Sequence, residues 1–129
     1  MKIDQCLLRI EEAAQGGGLM SASMENIKSY LNTEGLPRRM VESLAELIET
    51  QNWEELNDRF HDNLAFGTGG MRGRTIGKTI TASERGSATE KESPQFAAVG
   101  SNTLNELTVL QATKALFNYV NQWLSLIHI

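Results

Sequence analysis

The stretch Phe66-Gly67-Thr68-Gly69-Gly70-Met71-Arg72-Gly73 decides how this chain is read. It places four glycines, a threonine and an arginine in eight residues, directly after an acidic, helix-patterned segment. Glycine carries no Cβ, so a ligand can approach the backbone closely and φ can turn positive. Successive N–H groups in such a turn make a concave anion site. Arg72 adds a planar cation whose fork matches phosphate oxygens. The run therefore reads as part of a phosphate-handling site. It also fits a plain turn whose glycines serve geometry and whose Arg72, Arg74 and Lys78 are solvated.

Working upstream, four amphipathic helices precede the run. Ile3, Cys6, Leu7 and Ile10 repeat at helical spacing, and Gly16-Gly17-Gly18 ends that segment as a flexible joint. Ser23 suits an N-cap for a second helix with Met24, Ile27 and Leu31 on one face. Pro37 suits the first turn of a third, whose buried stripe is Met40, Val41, Leu44, Leu47 and Ile48. Asn52 suits the cap of a fourth, with Trp53, Leu56 and Phe60 inward, and His61 reads as its end.

Downstream, Leu64-Ala65-Phe66 reads as a short strand feeding the loop, and Thr75-Ile76 and Thr79-Ile80-Thr81 carry β-type residues around Gly77. Residues 82–98 are polar, a functional or mobile loop. A last helix begins near Thr103 or Asn105, with Thr103 and Glu106 at capping-box spacing. Val109, Ala112, Leu116, Val120 and Trp123 share one of its faces. Trp53, Phe60 and Trp123 read as core rather than ligand platforms. Residues 124–129 resemble a translated transposase-end adapter, CTG TCT CTT ATA CAC ATC, and read as a non-native tail.

Composition narrows the function classes. The 129 residues carry a net charge of −4, from 12 basic and 16 acidic side chains. That balance argues against a nucleic-acid surface, which needs clustered cations. The single cysteine, Cys6, cannot form an intrachain disulfide, which suits a reducing cytoplasmic setting. No apolar run has membrane-spanning length, so no membrane partner is expected. Gly77-Lys78-Thr79 mimics the end of a P-loop, but arginine stands at position 72 where that loop needs glycine. Gly67-Thr68-Gly69 opens like a dinucleotide fingerprint, but no βαβ unit surrounds it. No Cys or His cluster has metal-ligand spacing.

Several motifs in order resemble the N-terminal part of the α-D-phosphohexomutases, the phosphoglucomutase and phosphomannomutase family. Leu64-Ala65-Phe66-Gly67-Thr68-Gly69-Gly70-Met71-Arg72-Gly73 is similar to the family's Leu-x-Phe-Gly-Thr-x-Gly-x-Arg-Gly pattern. Glu55-Leu56-Asn57-Asp58-Arg59-Phe60 looks like the acidic helix leading into it. Gly100-Ser101-Asn102-Thr103-Leu104-Asn105 looks like its Gly-x-Asn-x-x-Asn turn, and Thr108-Val109, Ala112-Thr113 and Ala115-Leu116 its first long helix. The resemblance spans about residues 52–123.

The resemblance implies an α/β fold: a helical extension over residues 1–62, then the incomplete start of the first phosphohexomutase domain over 63–123. It implies an isomerase that moves a phosphoryl group between C1 and C6 of a hexose phosphate through a phosphoserine, with Mg²⁺ offsetting charge. Thr68, Gly69, Gly70, Arg72 and Gly73 would hold substrate phosphate. The phosphoserine loop and the Asp-x-Asp-x-Asp metal loop of the family are not in this chain. Thr81-Ala82-Ser83 matches only the start of the former and reads as coincidence. A fragment of this kind is expected to be inactive, with catalytic and metal residues lying elsewhere in its parent. Two other readings remain: a helical protein-interaction module built on the first four helices, and a nucleotide-binding protein using Gly77-Lys78-Thr79.

Overall fold

Helix-period apolar spacing becomes a layered helical bundle in the computed structural model, which describes residues 2–64, 66, 67 and 70–127. Helices α1 (Ile3–Gln15), α2 (Ser21–Leu31), α3 (Arg38–Glu49) and α4 (Trp53–Phe60) come first. Strands β1 (Phe66–Gly67) and β2 (Gly70–Met71), a short helix α5 (Ala82–Arg85) and a long helix α6 (Glu106–Ile127) follow. The described residues are mostly helical. The expected α/β character amounts there to one two-residue antiparallel pair, with Phe66 opposite Met71 and Gly67 opposite Gly70, and one parallel bridge between Arg74 and Thr103.

The core lies among α1–α4. Cys6, Ile10, Ile27, Leu44, Ile48, Leu56 and Phe60 are all fully shielded from solvent. Phe60 meets the Tyr30 ring edge-on at 5.3 Å between centroids, a favoured aromatic geometry. The stripe expected for α3 faces this core, with Val41 at its half-buried margin; of the α1 stripe Cys6 and Ile10 are buried and Leu7 partly so, but Ile3, in the first turn, is exposed. Trp53 packs on the rim of the core, half-buried.

Helix ends differ from expectation in instructive ways. Gly16-Gly17-Gly18 is a hydrogen-bonded stop rather than a flexible joint. Gly18 N–H reaches the Ala13 carbonyl and Gly17 N–H that of Ala14, with Gly17 at φ 85°, which is a Schellman turn. Ser23 is not an N-cap. Helix α2 starts two residues earlier, behind Met20, and Ser23 is buried inside it. Pro37 stands at the N-cap of α3, one position before its first turn. Asn52 does cap α4, its side chain accepting from the Glu55 N–H at 3.3 Å, and His61 stands at that helix's C-cap.

Thr75-Ile76 and Thr79-Ile80-Thr81 are not strands, because their backbone groups are taken by other partners. The Thr75 carbonyl accepts from Ala98 N–H, and the Thr79 carbonyl accepts from Arg59. Thr81 instead caps α5, so residues 82–98 contain a helix rather than only loop. Helix α6 starts at Glu106 behind Asn105, and the Thr103–Glu106 box does not form. Thr103 is held by its bridge to Arg74, and its hydroxyl donates to the Ala98 carbonyl at 2.8 Å. The reciprocal pair is Asn105 with Thr108: Asn105 Oδ1 accepts from Thr108 N–H at 3.1 Å, and Thr108 Oγ1 accepts from Asn105 N–H at 2.9 Å.

Helix α6 projects away from the bundle. Leu116, Phe117, Val120 and Trp123 are each more than two-fifths exposed, so Trp123 is not core. The helix continues through the suspected tail as far as Ile127. No helix among the described residues is long and apolar enough to cross a membrane.

Candidate functional site

The glycine run supplies the antiparallel hairpin strands β1 and β2, with Thr68 and Gly69 between them in the sequence. Those two candidate phosphate contacts lie outside the described residues. Gly70 sits at φ 94°, a backbone angle that a side chain strains. Gly73 has a different reason to be glycine. A Cβ there would lie 2.9 Å from Leu64 Cδ2 and 3.3 Å from the Leu104 nitrogen.

Arg72 follows directly on the hairpin and is exposed. Arg74, two residues on, is an exposed surface charge as expected, and it forms an ion pair with Asp58 on α4. Lys78 is exposed and borders a small cavity beside Asn52, Glu54 and Asp58. Arg72 and Lys78 are both exposed and make no ion pair among the described residues, and of the two Arg72 is the one directly beside the hairpin. A groove of about 250 Å³ is lined by its chain neighbour Met71 with Leu64, Ser101, Thr108 and Ala112 among others, and Arg72 itself does not line it.

The Gly100–Asn105 turn braces this region. A Cβ at Gly100 would stand 2.7 Å from the Arg59 carbonyl oxygen, so the turn approaches α4 through that glycine. Asn102 then satisfies the C-terminal carbonyls of α4: its N–H donates to Arg59 O at 2.9 Å and its amide to Asp58 O at 3.4 Å. Leu104 N–H donates to Arg74 O at 2.8 Å and Leu64 N–H to Ser101 O at 3.0 Å. The two motifs singled out on either side of the polar segment are therefore neighbours.

Beneath them lies a buried charge cluster that sequence reasoning missed. Arg59 is 1% exposed and donates five hydrogen bonds. They go to Glu55 (2.9 Å), to both oxygens of Glu84 (2.6 and 3.1 Å), and to the Thr79 and Val99 carbonyls (2.6 and 3.2 Å). Glu84 Oε2 also accepts from Ser43 Oγ and from Val99 N–H, each at 2.8 Å. Burial on its own would raise the Glu84 carboxyl, but the hydrogen bonds and charge of Arg59, with help from Val99 and Ser43, hold it below the ordinary carboxylate range. Burial likewise opposes the Arg59 charge, and Glu84 and then Glu55 outweigh it. One sequence signal was available: Thr81 and Glu84 have capping-box spacing and form that box.

The arrangement offers the exposed guanidinium of Arg72 beside a glycine hairpin, with the ion-paired Arg74 next to it, on a hydrogen-bonded base. It can bind an anion. Among the described residues no group of three or more His, Cys, Asp or Glu side chains is arranged to hold a metal ion. No family model matches the chain, and no curated protein or solved structure matches it either.

Proposed function

We propose that this chain is the N-terminal part of a phosphohexomutase and that the hairpin with Arg72 binds substrate phosphate. The observation that carries the reading is the ordered motif set: the glycine run, the acidic helix before it, and the Gly100–Asn105 turn. The juxtaposition of run and turn supports it, as does the solvent-facing Arg72 beside an ion-paired Arg74. The finer fold assignment, an incomplete first α/β domain after a helical extension, belongs to the same proposal. The apolar, exposed α6 suits a domain whose remaining layers lie elsewhere. Mg²⁺ and the phosphoserine would come from other parts of the parent, as would the choice between glucose and mannose phosphates. A cytoplasmic location goes with this reading.

The test is to read the coding frame past codon 123 and then assay the longer protein. A frame that continues into a Ser-His-Asn-Pro-like loop and an Asp-rich loop is expected. Arg72→Lys in that protein keeps the charge but loses the bidentate fork. Its conversion of hexose 1-phosphate to hexose 6-phosphate is expected to fall roughly 100-fold, the scale of losing one oriented donor to a developing anion. A stop after Ile129, or unchanged turnover in the variant, sinks the assignment.

A further inference from the structure

Two halves of this molecule are held by different physics. The α1–α4 bundle is joined by apolar packing, through Ile10, Ile27, Leu44, Ile48, Leu56 and Phe60. Residues 72–105 place only Ala98 and Val99 among the buried apolar side chains. Their buried side chains are otherwise polar: Thr81, Glu84, Thr103 and Asn105. The buried part of what fastens them to the bundle centres on one pair, while the Arg74–Asp58 ion pair and the bonds of Asn52 to Thr79 and of Ala82 to Glu46 tie them at the surface. Glu84 receives Arg59 from α4, Ser43 from α3 and the Val99 N–H from its own segment. Arg59 holds the Thr79 and Val99 carbonyls with the remaining arms of the same guanidinium, while its own carbonyl receives Asn102. The hairpin exit is tied in turn to this segment, through Leu104 to Arg74 and Ala98 to Thr75.

We propose that the Arg59–Glu84 pair is a latch holding residues 72–105, and with them the exit of the glycine hairpin, on the helical bundle, so that the segment opens as a unit of its own while the bundle stays folded. Proteins open in contiguous units of unequal stability. A half-satisfied buried polar network is worse than none, so loss of one member releases everything the network fastens. Of the apolar core, the segment supplies only Val99; the other members belong to the helices and the stretches between and after them. The latch is independent of the phosphohexomutase reading. It makes the placement of Arg72 conditional on a pair buried beneath the site.

Amide hydrogen exchange on the full chain tests this. The reporters are the N–H groups of Ala98, Val99, Asn102 and Leu104 on one side, and of Leu44, Leu47 and Leu56 on the other. In Glu84→Gln the first set is expected to lose protection about 100-fold, while the second changes less than about threefold. Ser43→Ala, which removes a single donor to Glu84, is expected to show the same split at smaller amplitude. Equal loss in both sets, as in a variant that unfolds altogether, overturns the proposal if Ser43→Ala also loses both sets equally. Unchanged protection at the four segment amides in either variant overturns it as well. So does a wild-type chain in which those four amides are unprotected.

Discussion

Ser23 and Arg59 show how a single buried polar side chain can help or harm. Ser23 is fully buried, and its hydroxyl has no hydrogen-bond partner. A buried hydroxyl without a partner forfeits its hydration without replacement. Ser23→Ala is therefore expected to stabilise the chain by about 1 kcal/mol, helped by alanine's helix propensity. A urea midpoint that falls in the variant would show that the hydroxyl is satisfied in solution. Arg59 is the opposite case, because its planar fork reaches five acceptors at once. Lysine has three donors on one point charge and cannot replace it. Its i,i+4 spacing from Glu55 is visible in the sequence, but spacing alone does not say whether such a pair is buried. Burial changed its meaning, and burial came from residues 79–99, which are distant in the chain.

At the scale of elements, α1 and α3 end by the same device with different residues. Helix α3 closes with Gln51 N–H to Ile48 O and Asn52 N–H to Leu47 O, both at 3.0 Å. The left-handed position is Gln51, at φ 55°, where α1 has Gly17. A side chain in that region costs about 1 kcal/mol. Gln51→Gly is thus expected to stabilise by up to about 1 kcal/mol, less the entropy glycine adds to the unfolded chain. Equilibrium denaturation measures it, and a loss of stability would mean that Gln51 makes a contact worth more than the strain. The caps that sequence identified correctly, such as Asn52, need only local chemistry. Those it misplaced have other causes: α2 starts ahead of Ser23 and buries it, and the Thr103 hydroxyl turns back to the Ala98 and Gly100 carbonyls.

For the whole molecule, the buried network predicts an acid limb. Glu84 is held below its ordinary value, so the stability it contributes is fully present above its unfolded value of about 4.3. It is lost as pH falls through the lower folded value. Arg59 on α4, the Ser43 hydroxyl on α3 and the Val99 N–H contact it directly, Glu55 shares the Arg59 guanidinium with it, and the charge of Glu84 also bears on buried Tyr30 of α2. Urea midpoints are expected to be flat from pH 7 to about 5 and to drop below about 4.3. In Glu84→Gln the drop is expected to shrink; an equal drop in both proteins would assign the acid limb to other carboxylates. A second molecular consequence belongs to α6, whose exposed apolar residues make a large patch. Poor solubility is expected. Phe117→Glu with Trp123→Glu should raise the soluble yield and leave the melting temperature of the bundle unchanged.

Periodicity and capping chemistry by themselves determined the four N-terminal helices, the buried faces of α1 and α3, and the site of the glycine turn. Those signals are local: a 3.6-residue repeat, a side-chain oxygen three residues before an N–H, a residue without Cβ. Only the tertiary structure decided that Thr79-Ile80-Thr81 is not a strand, that Arg74 is paired while Arg72 faces solvent, and that Glu84 lies buried against Arg59 twenty-five residues away. Those outcomes depend on which backbone and side-chain groups compete for the same partner, and the competitors are far apart in sequence.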